Sequence, residues 1–394
     1  MKNILVTALL AALPFMVYAA DSLTVTAVNK LSIARYDQTI ELTAAQLAPL
    51  GEKNLNKIHV VGARGVKAPL TELICQAVDT DFDEFHTPDT VIFQSDFQPG
   101  GTKTFTVTDG DVQVFKPEDY KAYGRFVRER FDDFAWENDL IAHRTYGKAL
   151  ETWKGEPLTS SAIDIWSKLH PTLIINEWYM MGDAFYHHMN SNGGDDYSAG
   201  ATRGDGGNGL WAADKLWVSK NFVNSRTLAD GPLRVMFELD YDAFDVNGKQ
   251  VAETVRISLD AGSQLDHYQV TFKPAENKSE QLTAAVGLKK VKSDVVDFNA
   301  ARGTLAIWEP MEKNQGMQGI AAIVDPKSLV KQTEDKSNNL LLLNAGSGNS
   351  IDYWAGFAWD KAGKITTADD WKKYVDEFAQ GVQSPIEVSV SAGQ

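Results

Sequence analysis

Alternating apolar and polar residues predict strands in the first part of the chain. Residues 23–28 read Leu-Thr-Val-Thr-Ala-Val, the pattern of a strand with one buried face. Clusters of Gly, Pro and Asp separate further apolar runs, which lie at residues 59–61, 73–74, 91–93 and 105–107. Short strands at this spacing predict an N-terminal β-sandwich over residues 20–120.

The same alternation is stronger in the second half of the sequence. Residues 234–241 and 251–259 alternate cleanly around the hairpin turn signal Asn247-Gly248. Strand-like runs then continue, with no helical pattern between them, at residues 267–272, 282–288, 305–308, 320–324 and 340–343. The pattern predicts a large antiparallel sandwich or barrel over residues 121–394.

One helix is predicted near the C-terminus. Thr366 or Thr367 can cap its first turn, and Gly381 and Pro385 stop it. Apolar residues recur at spacings of three and four, at Trp371, Tyr374, Val375 and Phe378. The chain is therefore predicted to be mainly β, with this helix packed on the second domain.

The first 19 residues have the pattern of a secretory signal peptide. Lys2 precedes an apolar run over residues 4–17, and Ala19 provides a small residue for cleavage. This run is too short to span a membrane, and no second long apolar run follows it. We therefore expect a periplasmic or secreted protein without a membrane span.

Charge and cysteine content narrow the possible partners and sites. The formal net charge of −15 makes nucleic acids and anionic membrane surfaces poor partners. An anionic sugar can still bind, but only at a local cluster of Arg and Lys. Cys75 is the single cysteine, which excludes an intramolecular disulfide and a multi-cysteine metal site. We interpret Cys75 as a buried apolar residue.

An acidic loop in the first domain is a candidate calcium site. Asp79, Asp81 and Asp83 place three carboxylates at alternate positions. The loop does not match a helix–loop–helix calcium motif, because Glu84 stands where glycine is needed and Thr90 where a bidentate acid is needed. A solvated acidic turn is the alternative interpretation.

Residues 131–207 have the composition of a functional site. Trp and Tyr are mixed there with Arg, Asp and Asn, and four of the seven histidines fall in this stretch: His143, His170, His187 and His188. Aromatic faces can stack on sugar rings, while the polar groups can bind hydroxyls and carboxylates. The same stretch supplies acids and bases for catalysis.

These residues also carry a resemblance to a known family. The motifs are Asp133-Phe-Ala-Trp-Glu-Asn-Asp139, Arg144-Thr-Tyr-Gly147, Tyr186-His187, Asn221 with Gly231-Pro-Leu-Arg234, and Trp371, Phe378 and Pro385. Together they resemble an uncharacterised family of secreted bacterial proteins whose genes lie among those for the breakdown of pectin and other polyuronates. The resemblance implies a galactose-mutarotase-like super-β-sandwich, a fold shared with several polysaccharide lyases, behind an N-terminal β-sandwich.

A uronate lyase has three tasks, and the stretch offers candidates for each. The substrate carboxylate must be neutralised, for which Arg144, Lys168 and Arg203 are available. The C5 proton must be removed by a base and the leaving oxygen protonated by an acid. We assign His187 or His143 as the base and Tyr146 or Tyr197 as the acid. Further candidates for contacts with the sugar are Trp136, Asn138, Asp139, Trp178, Tyr186 and Asp195.

Other functions use the same residues. A glycoside hydrolase acting on unsaturated uronides needs two carboxylates, and the candidates are Glu137, Asp139, Asp183 and Asp195. A sugar epimerase or mutarotase, or a non-catalytic sugar-binding protein, is also compatible with the sequence. Structural roles compete with each assignment: Glu137 and Asn138 can satisfy buried backbone groups, Trp136 can belong to the core, and Arg144 can pair with Asp139. We predict an exported lyase that degrades uronate-containing oligosaccharides of the pectin, rhamnogalacturonan, ulvan or alginate type.

Overall fold

A computed structural model describes residues 20–81, 86–155, 157–276 and 281–393. The predicted signal peptide and Asp83 lie outside the described residues. The helices are α1 (Ala44–Leu47), α2 (Ile175–Met181), α3 (Asp183–Tyr186) and α4 (Ala368–Gln383).

Strands are the main regular structure of the fold, which confirms the predicted mainly β class. In chain order they are β1 (Leu23–Val28), β2 (Arg35–Thr43), β3 (Ile58–Ala63), β4 (Leu70–Leu73), β5 (Gln76–Val78), β6 (Thr90–Phe97), β7 (Thr102–Asp109), β8 (Ala122–Val127), β9 (Asp133–Asn138), β10 (Ala142–Thr145), β11 (Asp164–Lys168), β12 (Gly193–Gly194), β13 (Asp205–Ala212), β14 (Lys215–Trp217), β15 (Asn224–Asp230), β16 (Arg234–Val246), β17 (Lys249–Asp260), β18 (Leu265–Pro274), β19 (Thr283–Lys289), β20 (Val295–Asn299), β21 (Thr304–Pro310), β22 (Met317–Val324), β23 (Leu329–Glu334), β24 (Asn338–Asn344), β25 (Ser350–Trp359) and β26 (Glu387–Ala392).

Two small sheets form an N-terminal β-sandwich, as predicted. One has the strand order β26-β1-β7-β3-β4 and the other β2-β6-β5. Leu23, Val25 and Ala27 of β1 point into their shared core, because alternate residues of a strand face the same side. The sequence did not predict β26, which returns from the far end of the chain and pairs antiparallel with β1 from Leu23↔Ala392 onward.

The larger domain has three antiparallel sheets around one core. An eight-stranded sheet with the order β15-β16-β17-β18-β25-β22-β21-β20 lies on one side. On the other lie the sheet β14-β13-β19-β24-β23 and the sheet β12-β11-β10-β9-β8, which we call the polar sheet. Buried residues of all three sheets meet in this core, including Trp136, Val286 and Phe357. Face-to-face packing of large sheets agrees with the predicted super-β-sandwich.

Helix α4 covers the outer face of the eight-stranded sheet, which confirms the predicted C-terminal helix. Thr367 caps it by accepting a hydrogen bond from the Asp370 amide. Trp371 is buried against this sheet and donates its indole N–H to the Ile320 carbonyl at 3.2 Å. No helix in the described ranges is long and apolar enough to cross a membrane.

Candidate functional site

The polar sheet collects charged residues on the face that α2 and α3 cover. Arg144 on β10 lies opposite Asp164 on β11, and Ala142 lies opposite Trp166, so both pairs share this face. Trp166 packs there against Trp178 and other aromatic residues of the helical segment. The result is a charged cluster enclosed by aromatic rings.

Arg144 is the centre of this cluster. Its Nε donates to Asp164 at 2.7 Å and its Nη2 to Asp195 at 2.8 Å, while its guanidinium lies 5.3 Å from the centroid of the Trp166 ring. Tyr146 also donates to Asp164, at 2.8 Å. Burial raises the pKa of Asp164 to about 6, although Arg144 opposes this shift. The alternative pairing of Arg144 with Asp139 given above is wrong, because Asp164 and Asp195 are its partners.

Asp195 connects the buried guanidinium to the protein surface. The same oxygen that accepts from Arg144 lies 3.2 Å from Nε2 of His187, whose side chain is 37% exposed. Burial raises the pKa of Asp195, but Arg144 and His187 more than offset it, so the net pKa is lowered. The Tyr186 ring meets the His187 imidazole edge to face, with centroids 4.7 Å apart. We call this series of contacts the Arg144–Asp195–His187 chain.

A distant loop brings a cation to the surface end of this chain. Lys313, in the loop 311–316 between β21 and β22, donates to the His187 carbonyl at 2.9 Å and lies 2.8 Å from Asp196. Its side chain is 53% exposed. Glu312 fixes the same loop through Ser198 and Lys289, at 2.7 and 2.9 Å. Sequence reasoning missed Lys313 because no pattern links it to His187, 126 positions away.

His143 lies on the opposite face of the polar sheet, fully buried in the core. Its Nε2 is 3.1 Å from Asp205 and its Nδ1 is 3.1 Å from Asp266. Trp136 donates its indole N–H to Asp266 at 2.7 Å. Burial lowers the pKa of His143, but the two carboxylates outweigh it and raise the pKa to about 9. This geometry suits a buried ionic network, and a catalytic role for His143 stays a prediction.

Three neighbouring candidates satisfy backbone groups. Glu137 accepts from the amides of Ile174 and Ile175 at the start of α2 and pairs with Lys168 at 2.8 Å. Asn138 bonds the carbonyls of Asp260 and Ser263, and Asp139 accepts from the Gly262 amide. These contacts match the structural alternative given for Glu137 and Asn138 above.

The remaining candidates are buried. Trp178 and Tyr186 belong to the aromatic cluster, and Trp136 belongs to the main core. Arg203 donates to the Ser161 hydroxyl and to the Asn208 carbonyl. Tyr197 has a buried hydroxyl without a hydrogen-bond partner among the described residues. Sugar-binding roles for these residues stay predictions. Of all the sequence candidates, the structure joins Arg144, Tyr146, Tyr186, His187 and Asp195 in one site.

Four carboxylates outside the candidate catalytic and binding residues complete the networks around Arg144 and His143. They are Asp133, Asp164, Asp205 and Asp266, and all are buried. Asp133 accepts from Tyr179 at 3.1 Å, and burial raises the pKa of Asp133 to about 7. Among these carboxylates, only Asp164 has a signal in the sequence that could have indicated its role. It is a charged residue at the start of an apolar strand, which is unusual.

The acidic loop of the first domain brings Asp79, Asp81 and Asp89 together. One carboxylate oxygen of each lies within 4.8 Å of the others. Asp89 already accepts from the Thr80 amide and hydroxyl, both at 2.8 Å, and from the Thr90 hydroxyl at 2.7 Å. Oxygen ligands of this kind suit calcium, and binding of that ion stays a prediction.

Comparison with known proteins identifies the family. A family model described as a domain of unknown function, DUF4861, matches residues 28–388. The chain belongs to this family. Uncharacterized protein P7 of Formosa agariphila is 31% identical to it over 380 residues, covering 93% of each chain. DUF4861 membership agrees with the predicted resemblance, while the gene neighbourhood and secretion stay predictions.

Two solved structures are similar at low sequence identity. One is a glycosyl hydrolase family 38 protein from Enterococcus faecalis, with 8% identity and a TM-score of 0.49. The other is an alpha-mannosidase from Enterococcus faecalis V583, with 9% identity and a TM-score of 0.48. They are matched over 95% and 96% of this chain, which spans about half the length of each.

Proposed function

We propose that this protein is an exported carbohydrate-active enzyme that cleaves uronate-containing oligosaccharides, with His187 transferring the proton. The observation that carries the proposal is the Arg144–Asp195–His187 chain. A buried guanidinium holds a carboxylate, and that carboxylate contacts a half-exposed imidazole. Proton-transfer histidines in enzymes are commonly oriented by a carboxylate in this way.

The Arg144–Asp195–His187 chain leaves one nitrogen of His187 available to accept a proton. When Nε2–H donates to Asp195, Nδ1 keeps its lone pair, and Nδ1 has no hydrogen-bond partner among the described residues. Arg144 keeps Asp195 ionised, so the imidazolium that forms during reaction is stabilised. Arg144, Asp164 and Asp195 therefore act as positioning residues in this proposal.

The proposed reaction is an elimination that consumes no water. His187 takes the C5 proton of the uronate, and the electron pair left on C5 forms the C4=C5 double bond. The bond between C4 and its glycosidic oxygen breaks, and protonated His187 returns the proton to that oxygen. One residue serves as base and acid because Tyr146 donates to Asp164 and Tyr197 is buried, away from an exposed sugar.

Recognition of the substrate carboxylate needs a cation other than Arg144. Two donors of Arg144 are engaged by Asp164 and Asp195, and the residue is only 5% exposed. Lys313 is the exposed cation beside His187, and its ammonium can exchange Asp196 for a uronate carboxylate. We assign the carboxylate contact to Lys313.

A substrate screen tests the proposal. The purified protein is incubated with saturated and unsaturated oligomers of the pectic, alginate, ulvan and rhamnogalacturonan types. A lyase raises the ultraviolet absorbance of saturated oligomers, because the new double bond is conjugated with the carboxylate. Loss of that absorbance from unsaturated oligomers indicates a hydrolase instead, and binding without any product indicates a sugar-binding protein. Cleavage after residue 19 in an exporting host tests the predicted signal peptide.

A further inference from the structure

A cleft lies at the start of helix α2, and all its lining residues except Tyr120 belong to the larger domain. Its volume is about 360 Å³, and it is lined by Tyr120, Tyr123, Glu137, Leu173, Asn176 and Asp230. Small-molecule pockets have volumes of roughly 300 to 1,000 Å³. The cleft is therefore large enough for one sugar ring.

Two tyrosines give the cleft aromatic walls. Tyr120 is 39% exposed and packs against Gly231, where a Cβ atom would lie 2.8 Å from the tyrosine ring. Tyr123 donates its hydroxyl to Asn176 at 3.2 Å, which fixes the position of its ring. An aromatic face that is rigid and partly exposed suits the C–H face of a sugar.

The cleft offers a ligand the amide nitrogen of Asn176 as a donor and one carboxylate oxygen of Asp230 as an acceptor. The Asn176 oxygen accepts from Tyr123 and from Arg125, at 3.2 and 2.8 Å, so its amide nitrogen is turned away from these bonds. Asp230 accepts from the Gly124 amide with one oxygen, at 3.0 Å. In the described part of the chain, the Asn176 Nδ2 and the second Asp230 oxygen make no hydrogen bond.

The charges around the cleft favour a neutral ligand. Glu137 is neutralised by Lys168 at 2.8 Å, and Arg125 is paired with Glu129 at 3.0 Å. Asp230 has no cationic partner within the described ranges, so the cleft carries a net negative charge. A carboxylate ligand would meet this charge without compensation.

We propose that this cleft is a second carbohydrate-binding site, which takes a neutral sugar through the Tyr120 face, the Asn176 amide and the Asp230 carboxylate. The site is separate from the Arg144–Asp195–His187 chain and does not depend on the proposed reaction. Asn176 of helix α2 lines the cleft, and His187 directly follows α3. One helical segment therefore contributes a residue to the cleft and a residue to the proposed catalytic site.

Binding of neutral sugars to the full chain tests the proposal. The probes are the methyl glycosides of galactose, glucose and rhamnose, with galacturonic acid as the charged comparison, and ligand-observed NMR measures their affinities. We expect at least one neutral glycoside to bind more tightly than galacturonic acid. Tyr120→Ala should weaken this binding roughly five- to tenfold by removing the aromatic face. Tyr36→Ala, at a tyrosine that is 63% exposed in the first domain, is the matched control.

A second variant protects the test against loss of folding. Asn176→Asp keeps an oxygen for Tyr123 and Arg125 but removes the amide donor, so it should weaken binding about fivefold while the fold is retained. His187→Gln should leave this binding unchanged, which separates the cleft from the proposed reaction. The proposal is overturned if no neutral glycoside binds, if galacturonic acid binds equally well, or if Tyr120→Ala and Asn176→Asp bind as wild type does.

Discussion

At the scale of single residues, His187 differs from His143 in what surrounds it. His187 has one nitrogen on Asp195 and a side chain that is 37% exposed, whereas both nitrogens of the fully buried His143 face carboxylates. Adjacent positions on a strand point to opposite faces, and Arg144 therefore reaches the site while its neighbour His143 reaches the core. We therefore expect replacement of His187 to reduce activity and replacement of His143 to reduce stability.

His187→Gln should reduce turnover of a confirmed substrate by roughly 10² to 10⁴, because glutamine keeps a hydrogen bond but cannot carry the proton. The unfolding midpoint should stay near that of wild type, since the side chain is half-exposed. His170→Gln, at an exposed histidine in the same stretch, is the control and should keep full activity. Near-normal activity of His187→Gln on that substrate contradicts the assignment.

Replacing His143 should affect stability. Its folded pKa of about 9 is above the unfolded value of about 6.5, so its contribution to the free energy of unfolding is fully present below about pH 6.5 and is lost as the pH rises through 9. His143→Leu leaves Asp205 and Asp266 without their cation and should cost roughly 3 to 5 kcal/mol. Urea unfolding between pH 6 and 10 measures both effects.

The control for His143 is a histidine–aspartate pair on the surface. His267 lies 3.0 Å from Asp352, which is 55% exposed, and His267→Gln should change stability by less than about 1 kcal/mol. Wild-type stability that does not fall between pH 7 and 10 would show that His143 is not a buried imidazolium.

At the scale of elements, the loop 311–316 places the Lys313 ammonium beside the His187 backbone. Lys313 and Asn314 have positive φ angles of 55° and 60°, and Glu312 and Lys313 tie the loop to the segment that follows α3. Because the loop connects two neighbouring strands of the eight-stranded sheet, it presents the Lys313 ammonium from a rigid support. In the proposed function, selection for substrate charge therefore depends on this loop.

Lys313→Gln should raise KM for an acidic oligomer roughly tenfold or more, because a charged hydrogen bond to the carboxylate is lost. The effect should shrink for the same oligomer after methyl esterification, and the salt dependence of KM should weaken with it. Lys361→Gln is the matched control, since Lys361 bonds Gln315 of the same loop and is exposed. Equal charge selectivity in Lys313→Gln and wild type contradicts the role.

Alternation predicted many strands of the sandwich and of the larger sheets, but it did not predict β8 to β15, which include the polar sheet that carries the site. All six residues of β9 are buried, so no polar face marks which side chains of the polar sheet point toward the helices. Arg144 meets Asp164, 20 positions away, through the register of two strands. It meets Asp195, 51 positions away, through the placement of a loop. Local sequence contains the residue types but does not contain this long-range register.

At the scale of the whole molecule, β26 joins the two ends of the chain. Val388 and Val390 pack partly buried against the N-terminal core, and the strand covers the edge of β1. All ten tryptophans lie outside residues 20–120, so tryptophan fluorescence reports on the larger domain alone. This separation allows each domain to be followed in one sample.

Ending the chain after Pro385 should destabilise the N-terminal sandwich by roughly 3 kcal/mol, from the lost burial of Val388 and Val390 and of Ile386 beside them. Far-ultraviolet circular dichroism should then show an earlier transition, while the tryptophan transition stays in place. Ser389→Ala, within the same strand, is the control and should change neither. An earlier tryptophan transition alone would contradict the proposed role of β26 in stabilising the N-terminal sandwich.

The pairing of β26 with β1 also has a consequence for biosynthesis. The ribosome makes β1 well before β26, so the first sheet has an open edge while the intervening residues are made. At typical elongation rates this interval is on the order of tens of seconds. An open edge strand can pair with other chains, and the N-terminal sandwich is therefore exposed to chaperones and to misassembly until β26 is in place. Completion of the first sheet therefore requires that the chain has been made as far as β26.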